Sequence, residues 1–139
     1  MIKSLKLYQP QRTVVARQRE TRGSRHERGY DSVWTKRSDQ YRMKNPVCVE
    51  CERNGIVRVC DVVDHKIPIR FRPDLRLDPK NWWSLCTDCH QGIKYRMERY
   101  AEKANMVDDL IMWCDDPEKR PAALKQATRK QRKREEYVV

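Results

Sequence analysis

No apolar run in this chain approaches the roughly 20 residues a membrane-crossing helix needs, so a membrane-embedded class is not expected. The first residues also lack the apolar core of a secretory leader, because Lys3 and Lys6 interrupt it. The expectation is therefore a cytoplasmic protein whose thiols stay reduced, where cysteines serve metals more readily than disulfides. No internal repeat or low-complexity tract is present. A large core is missing too: the 139 residues are 38% hydrophobic and 37% charged, which suits one small domain with extensions. A domain this lean gains much from a metal cross-link, since binding to a folded site is folding free energy.

What is abundant is positive charge, and it is unevenly placed. The net charge is +11. Residues 1–47 hold 12 Lys/Arg against 4 Asp/Glu, and residues 118–139 hold 8 against 3. The stretch 48–117 holds 11 against 13 and is slightly acidic. Lysine and arginine clusters neutralise phosphates and release counterions, so flanks of this kind point to nucleic acid. The plainer reading is a solvated basic face with no specific role.

Six cysteines are present, and four form two pairs at two-residue spacing, Cys48/Cys51 and Cys86/Cys89. Such pairs can close a tetrahedral thiolate site of the structural-zinc type. The 34 residues between Cys51 and Cys86 exceed the spacing of a compact zinc ribbon but can hold two strands and a loop. Four unconnected buried thiols is the alternative, and the twin spacings argue against it. Cys60 and Cys114 have no partner at ligand spacing and read as packed free thiols.

Between and beside the knuckles lie Asp64-His65, Asn81 and His90. A carboxylate with an imidazole is a borderline-to-hard ligand set, suited to Mg²⁺, Mn²⁺ or another divalent ion. A neutral imidazole near pH 7 can also accept a proton from water. Singly these residues are weak signals. Asp64-His65 alone would read as structural, Asn81 after Pro79 as a turn residue, and His90 as a neighbour capping the zinc site.

Taken together they carry a resemblance. Val63-Asp64-His65-Lys66-Ile67-Pro68, Asn81-Trp82-Trp83-Ser84-Leu85-Cys86-Thr87-Asp88-Cys89-His90 and Lys94 resemble an HNH endonuclease of the phage type with two zinc knuckles. Upstream, Arg28-Gly29-Tyr30-Asp31-Ser32-Val33-Trp34 and Asn45-Pro46-Val47-Cys48 are similar to the run-in of that group. Cys60 departs from it, standing where a small apolar residue is usual. The resemblance implies a small α+β protein with a ββα-metal, treble-clef-like fold, a four-cysteine structural Zn²⁺ site and flanking helices. It implies DNA hydrolysis to 5′-phosphate and 3′-hydroxyl ends, with His65 as general base and Asp64 and His90 holding a catalytic divalent cation. Asn81 would brace the loop and orient the base. Lys94 stands where some relatives place a further histidine ligand, and with Lys66 and Arg96 it is expected to contact phosphate. The phage-like run-in further implies a host-cytoplasmic protein working beside the terminase. The rival reading is a zinc-finger nucleic-acid-binding protein without catalysis, which would need none of Asp64, His65 and His90.

Three regions are expected: a flexible basic arm at 1–29, the nuclease domain at 30–104, and C-terminal helices with a basic tail at 105–139. Asp31 or Ser32 can cap a helix to about Lys44, with Val33, Trp34 and Tyr41 on one side, ended by Asn45-Pro46. Val57, Val59, Val62 and Val63 read as one strand. Prolines 68, 73 and 79 make a long loop, and Trp83–Leu85 a second strand. Trp82 and Trp83 are expected to pack under the knuckle. Ile93, Met97, Tyr100 and Ala104 predict a helix from about Cys89, and Val107, Leu110 and Ile111 a second over Met106–Trp113. A basic helix or frayed tail should follow Asp116-Pro117, over Lys119–Arg134.

Overall fold

The computed structural model describes residues 23–125; most of the basic arm and the tail beyond Lys125 lie outside the described residues. The last part of the arm, 23–29, is a hydrogen-bonded turn. Ser24 N–H donates to Glu27 Oε2 at 3.0 Å and Glu27 N–H to Ser24 Oγ at 3.1 Å, a reciprocal cap that ties the turn together.

Helix α1 (Ser32–Lys44) starts where the Asp31 carboxylate accepts from the Trp34 N–H. It buries Trp34 and Ser38, with Tyr41 half-buried one turn further on. Val33, expected on the same side, is 46% exposed, because its position is rotated by about 100° from Trp34 on a 3.6-residue helix. Helix α2 (Val49–Arg53) turns between the first two cysteines.

The sheet has two antiparallel strands, β1 (Val62–His65) and β2 (Trp82–Leu85), in the register Val62↔Leu85, Val63↔Ser84, Asp64↔Trp83, His65↔Trp82. The strand expected over Val57–Val63 is shorter than its valine content suggests. Val59 makes only an isolated bridge with Val47, and Val57 and Val59 are largely exposed. Gly55 at φ 79° and the bridge turn this stretch around the first knuckle, so it does not join the sheet. The intervening loop closes through two single 3₁₀ turns, Pro73–Leu75 and Pro79–Asn81.

After β2 the chain enters a helix of mixed winding: α3 (Thr87–Cys89), a π turn over His90–Lys94, then α4 (Tyr95–Ala104). Asn105 in the left-handed region ends it. Ile93, Met97 and Ala101 face the core, while Ala104 is exposed, so the buried stripe steps to Ala101. A 3₁₀ turn (Val107–Asp109) leads into α5 (Leu110–Asp115), which buries Leu110, Trp113 and Cys114. The expected helix start at Asp116-Pro117 is a single 3₁₀ turn capped by the Asp116 side chain.

The result is a small α+β architecture in which two strands and one helix frame a four-cysteine cluster. The C-terminal stretch is fastened back onto the first knuckle. Arg120, buried, donates through Nε to Trp113 O at 2.7 Å and through Nη1 to Glu50 Oε2 at 3.1 Å, and its Nη2 pairs with Glu50 Oε1. Arg53 adds a bond to Glu50 Oε1 at 2.8 Å and another to Cys114 O at 2.6 Å. Burying two charges is tolerable here because each has a partner and further hydrogen bonds.

Candidate active site and metal centre

The knuckles meet as their spacing suggests. The sulfurs of Cys48, Cys51, Cys86 and Cys89 all lie within 4.8 Å of one another, with Cys51 Sγ 3.7 Å from both Cys86 Sγ and Cys89 Sγ. Zinc bonded to sulfur at about 2.3 Å separates tetrahedral thiolates by about 3.8 Å, whereas a disulfide needs about 2.05 Å. The four thiols thus fit a tetrahedral metal and not a pair of disulfides. Without a cation they compete for protons. Burial raises all three thiols that shift, and neighbouring thiols push Cys51 up to about 12; for Cys86 the hydrogen bonds from Cys89 and Arg58 outweigh burial and bring it down to about 7. A bound cation removes that conflict. Cys60 and Cys114 stay apart as buried free thiols.

The second cluster is assembled by the strand pair and the π turn. Asp64 and His65 are consecutive in β1, so their side chains leave opposite faces of the sheet. Asp64 faces the helix. Its Oδ1 lies 3.4 Å from His90 Nε2, and its Oδ2 meets Lys94 Nζ at 2.8 Å and the Trp83 indole N–H at 3.0 Å. His90 and Lys94 stand one turn apart on the π segment, a winding often found at functional sites. Although burial pushes the Asp64 carboxyl up, the Lys94 charge and the His90 hydrogen bond hold it well below the usual carboxylate range. The same contact with Asp64 raises His90 against the effect of its burial. An oxygen and an imidazole nitrogen facing each other, with His90 43% exposed, are a donor pair of the kind that suits a divalent ion.

His65 leaves the other face and packs under α1. Its Nε2 lies 3.0 Å from the carbonyl oxygen of Arg76. A carbonyl only accepts, so Nε2 carries the hydrogen and Nδ1 keeps a lone pair. Burial lowers the pKa of His65, which favours that neutral form.

Asn81, fully buried, ties the ends of the 66–81 loop: its Oδ1 accepts from Ile67 N–H at 2.8 Å, and its Nδ2 donates to Ile67 O at 3.1 Å and Leu75 O at 3.5 Å. Arg76 lies within that loop, so Asn81 reaches His65 through the loop and not by touching it.

Two of the expected phosphate contacts sit differently. Lys94 is only 1% exposed, and its ammonium donates to His65 O at 2.7 Å and Glu98 Oε1 at 2.6 Å besides Asp64. The π turn brings it inward beside Ile93, where two carboxylates compensate its charge. Lys66 donates to Lys80 O at 3.0 Å and Asp115 Oδ1 at 2.5 Å. Arg96 is half-buried on α4. Sequence reasoning missed Glu98, Arg76 and the site roles of Trp34 and Trp83. The hint for the tryptophan was available, since the strand register places Trp83 opposite Asp64.

Residues 48–96 match the HNH endonuclease family. The chain therefore carries an HNH endonuclease domain over that stretch, and with it the class of a phosphodiester-cleaving nuclease. Among solved structures it is similar to a deep-sea thermophilic bacteriophage GVE2 HNH endonuclease determined with a manganese ion. The identity is 25% and the TM-score 0.45, over 65% of this chain and 88% of that one. No curated protein matches the chain significantly. No helix among the described residues is long and apolar enough to cross a membrane.

Proposed function

We propose that this protein is a DNA endonuclease that hydrolyses phosphodiesters with a divalent cation, Mg²⁺ or Mn²⁺, and is held together by zinc at its four thiolates. The observation that carries the reading is the 3.0 Å contact of His65 Nε2 with the Arg76 carbonyl. The Nε2–H is committed to that carbonyl, leaving a lone pair on Nδ1, and in the chain His65 directly follows Asp64, the carboxylate that faces His90.

In this reading Asp64 and His90 would hold the cation, which when bound would stabilise charge developing on the phosphoryl oxygen and the leaving 3′-oxygen. His90 would hold it as the neutral imidazole. His65 Nδ1 takes the proton of the attacking water as the new P–O bond forms and the P–O3′ bond breaks. The products are a 5′-phosphate and a 3′-hydroxyl, the latter protonated from solvent. Asn81 braces the loop that presents the Arg76 carbonyl. Lys94 holds Asp64 and the His65 backbone together from beneath. Lys66 is in an internal ion pair, so contact with the DNA backbone falls chiefly to the basic flanks, with Arg96 as the third expected partner.

A phage origin and a partnership with the packaging terminase extend the reading on the resemblance of the run-in alone; co-purification with a terminase large subunit tests that step. Plasmid nicking tests the whole. Supercoiled DNA should be opened with added Mg²⁺ or Mn²⁺ and left intact with EDTA. Cleavage undiminished by EDTA would overturn the divalent-cation assignment.

A further inference from the structure

The run-in Gly29–Trp34 lies upstream of the stretch that matches the family, and neither the metal ligands nor the zinc site uses it. Yet the structure wraps it around His65. Trp34, 4% exposed, lies against the imidazole with ring centroids 4.2 Å apart and planes 31° from parallel. The ring of Tyr30 stands edge-on to the same imidazole at 6.2 Å. Trp82, the cross-strand neighbour of His65, meets Trp34 edge-to-face at 5.2 Å.

One residue ties this wall to the base. The Arg76 carbonyl accepts from His65 Nε2 at 3.0 Å and from the Trp82 indole at 2.9 Å. The Arg76 guanidinium donates to Gly29 O and to Asp31 Oδ1, both at 3.1 Å. That same Asp31 oxygen caps α1 at the Trp34 N–H. Gly29 is required for the closure on two counts. Its φ is +92°, and a Cβ there would stand 2.8 Å from Arg76 Cδ and 3.3 Å from Ile69 Cδ1.

We propose that Trp34 is a positioning residue for the general base, fixing the plane of the His65 imidazole, and that Gly29, Asp31 and Arg76 form the bracket that holds Trp34 in place. The inference rests on the reading of His65 as the base. A single hydrogen bond at Nε2 fixes one direction but leaves the ring free to rock about it. A flat indole against its face removes that freedom and keeps the Nδ1 lone pair aimed. Misplacement of a reacting group by about 1 Å can cost on the order of 100-fold in rate. The functional unit thus begins near Gly29 and not at the first cysteine.

The test is a double-variant cycle on plasmid nicking in Mn²⁺, with DNA binding measured separately. Trp34→Ala should lower turnover by roughly 10- to 100-fold with DNA affinity unchanged. Trp34→Phe should recover most of the loss, because it restores a flat ring. In a His65→Ala background, Trp34→Ala should cost nothing further. Equal loss in both backgrounds would overturn the proposal, as would a Trp34→Ala enzyme that turns over like the wild type while His65→Ala is inactive. Full activity in His65→Ala itself would instead remove the base and the proposal with it. Should Trp34→Ala unfold, Trp34→Leu keeps apolar bulk without the flat face and runs the same cycle. A readout independent of cleavage is the ¹⁵N imidazole signal of His65 in metal-free protein. It should report a single Nε2–H tautomer in the wild type and an averaged one in Gly29→Ala, whose added methyl displaces Arg76; an unchanged tautomer in that variant counts against the bracket.

Discussion

His65 and Trp82 stand opposite one another in the antiparallel pair and donate to the same acceptor, the Arg76 carbonyl, at 3.0 and 2.9 Å. Their strand neighbours pair directly on the other face, where Trp83 donates its indole N–H to Asp64. The two tryptophans expected to pack under the knuckle are buried; Trp83 also bonds Asp64 directly, and Trp82 bonds the carbonyl that His65 uses. Alternation along β2 delivers one indole to each face, so a single dipeptide serves both sides of the strand pair.

The zinc site is predicted to be structural. Purified protein should retain one zinc through gel filtration, and Cys86→Ser should lose it together with cooperative unfolding, because such sites contribute folding energy outright. Active, folded protein with no zinc by elemental analysis would remove the assignment.

Glu50→Ala is expected to destabilise the fold by about 3–5 kcal/mol, since it strands the buried Arg120 guanidinium without its carboxylate. Denaturant unfolding measures this directly. A loss below about 1 kcal/mol would mean that Arg120 finds water or another partner when Glu50 is removed.

With divalent cation saturating at every pH, so that the raised pKa of the ligand His90 adds no limb of its own, the acid limb of turnover should lie below pH 6.5. Burial lowers the His65 pKa beneath its ordinary value of 6.5, and only the neutral ring can accept a proton, so activity falls as pH drops through that lowered value. Asp64 stays ionised throughout this range and adds no limb. A limb clearly above 6.5 would contradict the buried setting of the base.

The basic tail can be tested without touching the fold only if the cut respects Arg120 and Leu124, both buried. Removing residues 126–139 deletes five Lys/Arg and two Glu. Each phosphate that is no longer neutralised flattens log affinity against log salt by about 0.9. The truncated protein should show a shallower salt slope and an unchanged turnover at saturating DNA; an unchanged slope assigns the tail to a different partner.

Much of the site is legible in the sequence because its signals are local. The Cys-x-x-Cys pairs and the adjacent Asp64-His65 need no knowledge of the fold to be noticed. What escapes is set by packing between distant segments. Lys94 reads as a surface cation until the π turn places it between Asp64 and Glu98. Val57 and Val59 have strand-forming side chains, yet the turn at Gly55 and the bridge to Val47 take them out of the sheet. The meeting of Trp34 with His65 depends on Arg76, in a loop whose prolines announce a turn but not its destination.

Everything proposed for the site turns on His65 as the general base of a metal-dependent nuclease, and single-turnover nicking by His65→Ala in saturating Mn²⁺ probes that role without intermediaries. The rate should fall by roughly 10²- to 10⁴-fold, with zinc content, thermal unfolding and DNA affinity those of the wild type. A His65→Ala protein that nicks DNA at the wild-type rate would contradict it.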